Sequence, residues 1–180
     1  MDTELERLLA DDYLADLGTR SLTDLRALRG ECQAVETQLS YLRRLIQGRH
    51  DITTGEIDRR RNGGDPADVH GLVERLPEIL SDRIHGPGAG RPPTELAPRE
   101  LSGTLVEKLA GIAEAVSLDD PHALSDDDLA SSADQLGRLE QEVSGLRRAL
   151  FDRIDAIQAE ITRRYRDGEA RVDDLFAGEG

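Results

Sequence analysis

The sequence predicts an all-α protein built on an antiparallel two-helix coiled-coil hairpin, with an N-terminal helix and shorter helices inserted between the long ones. Charged residues make up 33% of the 180 residues and aromatic residues only 3%, which is typical of long amphipathic helices and not of a thick globular core. Apolar residues recur at alternating steps of three and four, which indicates a heptad seam. The sequence also repeats itself after 104 residues, which predicts two equivalent helices.

The N-terminal part of the chain contains two of the predicted helices. Residues 1–18 have the pattern of a short acidic amphipathic helix that ends near Gly18. The first long helix is assigned to residues 21–62, because Ser21 is suited to an N-cap with Asp24 three residues later and the stretch NGGDP ends the pattern. Its apolar seam consists of Leu25, Leu28, Cys32, Val35, Leu39, Leu42 and Ile46.

The remaining chain contains a connecting segment and the second long helix. In the connecting segment, residues 63–124, two stretches with helical spacing, ADVHGLVERLPEILSDRIHG and ELSGTLVEKLAGIAEAVS, flank a break at GPGAGRPP. The second long helix is assigned to residues 125–168, and residues 169–180 are predicted to form a flexible tail. Three polar residues interrupt the seam at its far ends, namely Arg49, Arg153 and Glu160. Loose pairing of the two helices is therefore predicted there.

A polar stripe is the part of the repeat that the two long helices share most closely. In the stretch ETQLSYLRRLIQGRHD, five polar residues follow one another at steps of four, three, four and four, so that they lie on one side of a helix. A shift of 104 positions places a second set on the second helix, with phenylalanine where the first has glutamine. The first set is Glu36, Ser40, Arg43, Gln47 and Asp51, and the second is Glu140, Ser144, Arg147, Phe151 and Asp155.

The heptad places this stripe beside the seam. If Leu25 occupies position a, Glu36 and Arg43 occupy e, and the e edges of two antiparallel helices lie side by side. The two sets then run in opposite directions about a local two-fold axis near Arg43 and Arg147, over roughly 22 Å each. Guanine bases with phosphates between them suit such a site, because arginine binds phosphate or the guanine acceptor edge and carboxylate accepts from the guanine N1 and N2 donors.

The doubled pattern E-x3-S-x2-R-x3-Q-x3-D resembles the cyclic-di-GMP signature of the RsiG anti-sigma factors of sporulating actinobacteria. The stretch GGDPADVHGLVERLPEILSD is also similar to that family, so the resemblance covers residues 21–168. It implies that a dimer of cyclic-di-GMP binds against the hairpin and that the loaded protein holds a WhiG-type sigma factor inactive. Phe151 departs from the family's glutamine, which replaces a polar contact by a ring on which a guanine can stack.

Composition excludes several other functions. The net charge of −14 argues against direct binding of DNA or RNA through phosphates and favours a basic protein partner. The single cysteine, Cys32, is interpreted as a small buried residue of the seam, and the four histidines have no metal-ligand spacing, so no metal is expected. The chain shows no signal peptide or spanning segment, which predicts a cytoplasmic protein outside the membrane. It also shows no catalytic constellation, so an enzyme is not expected.

Three interpretations stay open at this point. The stripe on its own is also compatible with a solvated face, in which case the protein is a structural coiled-coil adaptor without a small-molecule ligand. The N-terminal helix and the inserted helices either fold onto the hairpin or wrap the partner. The arginine runs DRRR and TRRYR, together with Arg44, Arg148, Arg49 and Arg153, are interpreted as mobile solvent-facing charges, with additional phosphate contacts as the alternative.

Overall fold

The protein is all-α over the residues that the computed structural model describes, which are 2–63, 103–115 and 121–168. The α-helices are α1 (Asp2–Leu9), α2 (Leu22–Arg61), α3 (Thr104–Ala115) and α4 (Asp126–Arg166), and two short 3₁₀ helices span Leu17–Thr19 and Pro121–Ala123. This confirms the predicted fold class. The predicted helix that begins after Asp65-Pro66, the break at GPGAGRPP and the tail at 169–180 lie outside the described residues.

Helices α2 and α4 form the predicted antiparallel hairpin. Near the start of α2, Arg29 donates a hydrogen bond to Gln158 near the end of α4. At the other end of α2, Arg60 Nη1 lies 2.7 Å from Asp126 Oδ1, at the start of α4. Helix α2 has 40 residues and α4 has 41, so each is about 60 Å long at 1.5 Å per residue.

The two long helices begin in the same way, which extends the repeat beyond their apolar pattern. The Ser21 side chain accepts a hydrogen bond from the Asp24 backbone N–H, and Ser125 does the same for Asp128. These caps stabilise the helix starts because they satisfy backbone donors that have no partner in the helix. Each cap follows a 3₁₀ helix, and Leu17–Thr19 and Pro121–Ala123 are also 104 positions apart.

The apolar seam is buried as predicted. All seven seam residues of α2, from Leu25 to Ile46, are buried against α4. Burial of a leucine or isoleucine side chain contributes about 1.5–3 kcal/mol, so this seam holds the hairpin together. The α4 residues that fill the other side of the seam are Leu129, Leu136, Leu139, Val143, Leu150 and Ile157.

Polar side chains complete the seam towards both ends, and of the residues predicted to interrupt it, Arg153 and Glu160 are bonded. Glu56 is buried and forms ion pairs with Arg59 and Arg60 at 2.6 and 2.7 Å. Arg60 also donates to the backbone carbonyls of Pro121 and His122, in the 3₁₀ helix that leads into α4. Arg60 therefore closes this end of the hairpin, because it ties α2 to the segment that leads into α4.

The opposite end of the hairpin has the same closure, 104 positions later. Arg164 is buried, pairs with Glu160 at 2.8 Å, and donates to the backbone carbonyls of Leu17 and Arg20. The prediction that the runs DRRR and TRRYR are mobile solvent-facing charges is therefore wrong for Arg60 and Arg164. Their carbonyl partners come from loops distant in sequence, which the local pattern does not reveal.

The N-terminal helix is shorter than the predicted 1–18 and ends at Leu9. Arg153 of α4 donates to the backbone carbonyls of Leu8 and Leu9 at 2.6 Å each, which satisfies the last acceptors of α1. The chain then turns so that Tyr13 is buried, and its hydroxyl donates to the Leu28 carbonyl at 3.1 Å. Arg153 is thus a structural residue and not a mobile surface charge.

Helices α1 and α3 fold onto one flank of the hairpin. Arg7 pairs with Glu31 at 2.8 Å and Lys108 pairs with Glu142 at 2.7 Å, and both glutamates occupy heptad position g, on the flank opposite the e positions. The two short helices meet where Asp2 accepts from the backbone N–H and the hydroxyl of Thr104. The flank that carries the polar stripe lies on the other side of the seam.

Candidate functional site

The glutamates and arginines of the two stripes pair with each other across the hairpin. Arg43 Nε lies 2.6 Å from Glu140 Oε1, and Arg147 Nη2 lies 2.8 Å from Glu36 Oε1. The same exchange in both directions means that a local two-fold axis relates the helices. The axis passes between Glu36 and Arg43, close to Ser40, which is about one helical turn from the position that the sequence predicts.

The serines orient the glutamates within each helix. Ser40 donates to Glu36 Oε1 at 2.5 Å, and Ser144 donates to Glu140 Oε1 at 3.0 Å. Burial alone would raise the pKa of Glu140, but the hydrogen bonds from Ser144 and Arg43 outweigh it and hold that pKa below its usual range. Glu140 is therefore ionised at neutral pH and is an acceptor of fixed direction.

Arg43 keeps two donor nitrogens available on the open flank, whereas Arg147 uses both Nε and Nη2 to bind Glu36. The Arg43 side chain is 33% exposed and uses only Nε, which donates to Glu140 and to Ser144 Oγ. Among the described residues, neither of its terminal nitrogens, Nη1 and Nη2, has a hydrogen-bond partner. The ion pair with Glu140 thus fixes the direction of the guanidinium while its outer edge remains able to bind an anion such as a phosphate.

The two stripes differ at their fourth position. Gln47 Nε2 donates to Glu140 Oε1 at 3.2 Å, across the hairpin. The matching residue of α4 is Phe151, whose side chain is 43% exposed and whose ring centroid lies 5.6 Å from Arg147 Cζ. The outermost positions lie one turn farther along each helix, where Asp51 is half-buried and Asp155 is exposed.

The structure thus arranges the stripe residues as two clusters that match except at the fourth position. The first cluster is Glu140, Ser144, Arg43 and Gln47, and the second is Glu36, Ser40, Arg147 and Phe151. Each cluster takes its acid and hydroxyl from one helix and its arginine from the other. Any ligand that contacts a whole cluster therefore contacts both helices.

The sequence-based prediction did not include this cross-pairing, because it assigned each polar residue to a ligand and none to the opposite helix. It did not include the end closures either, although Glu56, Arg60, Glu160 and Arg164 recur at the 104-residue spacing. That recurrence outside the apolar seam was the available signal. No group of three or more His, Cys, Asp or Glu residues within 2–63, 103–115 and 121–168 has the geometry of a metal site.

A comparison with known families identifies the family of this chain. The RsiG-like family model matches residues 11–80 and 115–178, which include both stripes and both end closures. The chain belongs to the RsiG-like family. This family consists of regulatory anti-sigma factors and not of enzymes. Its members act on sigma factors, so the RsiG-like protein has a regulatory role and a sigma factor is its general class of partner. No curated protein matches the chain. None of the helices in the described part of this RsiG-like protein is both long and apolar enough to cross a membrane.

Proposed function

We propose that this protein is a cytoplasmic anti-sigma factor that binds a dimer of cyclic-di-GMP on its antiparallel coiled coil and, when loaded, sequesters a WhiG-type sigma factor to repress transcription. The observation that carries the proposal is the symmetric exchange of partners, Arg43 with Glu140 and Arg147 with Glu36. A two-fold arrangement of cations and acceptors on an open flank matches a two-fold ligand that has phosphates and guanine edges.

Each side chain has a defined role in this proposal. The outward nitrogens of Arg43 and Arg147 donate to phosphate oxygens, and the carboxylates of Glu36 and Glu140 accept from guanine N1 and N2. Cyclic-di-AMP offers these carboxylates no N1 or N2 donor, so the acids discriminate between the two nucleotides. The outer acids of the stripe, Asp51 and Asp155, extend the row of acceptors along each helix.

The proposed coupling between nucleotide and sigma factor follows from the composition of each cluster. Because each cluster takes residues from both long helices, a bound nucleotide favours one relative rotation of the pair and one arrangement of the surface around it. A nucleotide that tightens the complex with the sigma factor must itself be bound more tightly by that complex, by the same factor. The net charge of −14 suits the basic surfaces with which a sigma factor contacts DNA.

The first experiment is titration calorimetry of the whole chain with cyclic-di-GMP and with cyclic-di-AMP. We expect two molecules of cyclic-di-GMP per chain and much weaker binding of cyclic-di-AMP. Equal affinity for the two nucleotides would contradict the assignment of the acids to guanine. Absence of any binding would favour the alternative, a coiled-coil adaptor without a small ligand.

The second experiment measures capture of a purified WhiG-type sigma factor with and without cyclic-di-GMP. We expect capture to increase with the nucleotide, and the increase to disappear in the double variant Arg43→Ala, Arg147→Ala. Circular dichroism controls for the helices. Capture that is the same with and without nucleotide would show a constitutive binder and would refute the gating.

A further inference from the structure

One aromatic side chain on the open flank interrupts an otherwise symmetric arrangement. Phe151 is one of two large hydrophobic side chains that are exposed among the described residues, and it lies where the repeat has Gln47 on the other helix. Apolar residues occupy most seam positions of both long helices, where they are buried between the helices. An exposed phenyl ring on the polar stripe has no such packing role.

The hydrogen bonds of the two clusters differ because of this residue. In the Gln47 cluster, one oxygen of Glu140 accepts from Arg43, Gln47 and Ser144. In the Phe151 cluster, the phenyl ring provides no donor for Glu36. The side chain of Phe151 instead has the Arg147 guanidinium over its ring, with a Cζ-to-centroid distance of 5.6 Å.

A ring held in this way is suited to a planar ligand group. The Arg147 cation lies over the ring, and 43% of the surface of Phe151 remains accessible. The Arg147 guanidinium over the ring also pairs with the Glu36 carboxylate at 2.8 Å, which places a donor and an acceptor in the same cluster as the ring. A nucleotide whose base stacks on the ring therefore meets a carboxylate for the edge of the base and a guanidinium for its phosphate in the same cluster. A hydrogen-bonding amide at this position provides no surface for stacking.

We propose that the two clusters bind bases by different means, with Phe151 as a stacking platform in one half of the site and Gln47 as a hydrogen-bonding residue in the other. This inference rests on the proposed function, because the base in question is that of the nucleotide bound on the stripe. It makes Phe151 an affinity-determining residue of one half-site. Stacking tolerates any base, so base selectivity in that half is provided by Glu36.

The test compares the affinity of cyclic-di-GMP for the whole chain and for the variants Phe151→Trp, Phe151→Leu and Phe151→Gln. Stacking predicts that tryptophan retains the affinity, that leucine loses part of it, and that glutamine weakens binding roughly five- to a hundredfold. A hydrogen-bonding role for this position predicts the opposite, since Phe151→Gln copies the amide of Gln47. Binding by Phe151→Gln that is equal to or tighter than that of the unchanged protein would therefore overturn the inference.

The pseudo-two-fold arrangement supplies a matched control. Exchange of the two residues, in the double variant Gln47→Phe, Phe151→Gln, moves the platform to the other half of the site. We expect this variant to recover affinity to within about threefold of the unchanged protein. A double variant as weak as Phe151→Gln alone would show that the ring acts only in its own surroundings and would overturn the equivalence of the clusters.

A second readout reports stacking directly. The chain has no tryptophan, so Phe151→Trp introduces a single indole whose emission changes when a base stacks on it. The matched reporter is Gln141→Trp, at an exposed position that the heptad places on the outer side of α4. We expect cyclic-di-GMP to quench the first reporter and not the second, and equal responses would contradict stacking. If the unchanged protein binds no cyclic-di-GMP in calorimetry, the proposed function itself fails, which is a different result from binding that is insensitive to residue 151.

Discussion

Replacement of Arg43 by alanine is expected to weaken nucleotide binding much more than it weakens the fold. In the free protein, Arg43 spends one nitrogen, Nε, on Glu140 and Ser144, and both members of the ion pair are partly exposed. Such pairs contribute about 1 kcal/mol or less to stability, because solvent screens them. The loss of the pair should therefore lower the free energy of unfolding by about 1 kcal/mol.

The effect on the ligand is larger because the two outer nitrogens of Arg43 are the donors proposed for the phosphate. A hydrogen bond to a charged group contributes about 1.5–3 kcal/mol, which corresponds to a ten- to hundredfold loss of affinity. The assay is titration calorimetry with cyclic-di-GMP, together with urea denaturation of the same samples. Arg43→Lys should recover only part of the affinity, because one ammonium cannot replace a planar guanidinium that binds Glu140 and a phosphate at once.

The adjacent residue provides the control for general charge effects. Arg44 is exposed and occupies the outward heptad position f, so Arg44→Ala removes the same charge without removing a stripe residue. We expect it to bind cyclic-di-GMP nearly as well as the unchanged protein. An Arg43→Ala variant with unchanged affinity, or an Arg44→Ala variant with an equal loss, would refute the assignment of Arg43 to the phosphate.

Two further predictions concern the closures of the hairpin, and a third concerns the attachment of α1. Arg164→Ala should lower the free energy of unfolding, measured in urea, by about 2–4 kcal/mol, because it removes a buried charge and its carbonyl contacts. The control Arg148→Ala, at an exposed position, should change the free energy of unfolding by less than about 0.5 kcal/mol. Hydrogen bonds from Arg59 and Arg60 lower the pKa of Glu56 to about 2 in the folded protein. The ionised Glu56 therefore stabilises the fold by up to about 3 kcal/mol above pH 4.5, the unfolded value, and this stabilisation is lost as the pH falls from 4.5 to about 2. Glu56→Gln should flatten the dependence of the urea midpoint on pH in this range. Arg153→Ala should accelerate limited proteolysis of residues 2–20 without loss of the helical circular dichroism of the hairpin, since its bonds to α1 are lost while the seam remains.

The parts of the fold that local chemistry determines were predictable. Apolar spacing identified the seam of α2, and the Ser21 side chain was recognised as the N-cap because its partner lies only three residues away. The end of α1 was not predictable in this way. It depends on Arg153, which is more than 140 residues distant in sequence and bonds to the carbonyls of the last turn. The 1–18 pattern gave no sign of this contact, and the prediction extended the helix too far.

The sequence predicted which flank of the hairpin carries the candidate site, but it did not predict the hydrogen bonds and ion pairs within that site. The periodic polar residues and their recurrence identified the flank, because both are properties of a helix with a known heptad. The pairing of Arg43 with Glu140 depends on the axial alignment of the two helices, which the apolar pattern specifies only to within a turn. For the same reason, the sequence placed the two-fold axis at Arg43 and not between Glu36 and Arg43.

The closures at the two ends restrict where the hairpin is able to respond to a ligand. Arg60 and Arg164 bind the backbone at opposite ends, and the bonds of Arg60 and Arg164 to the approaching loops oppose sliding or separation of the helices there. Between these ends, the pairs that cross the open flank are partly exposed, and each contributes only about 1 kcal/mol or less, so they resist a small rearrangement much less than the closures do. A ligand on the stripe therefore acts most effectively on the middle of the pair, by a local change in rotation or separation around Ser40 and Ser144. Because α1 and α3 pack on the opposite flank at Glu31 and Glu142, such a change reaches them through the seam and not through a direct contact.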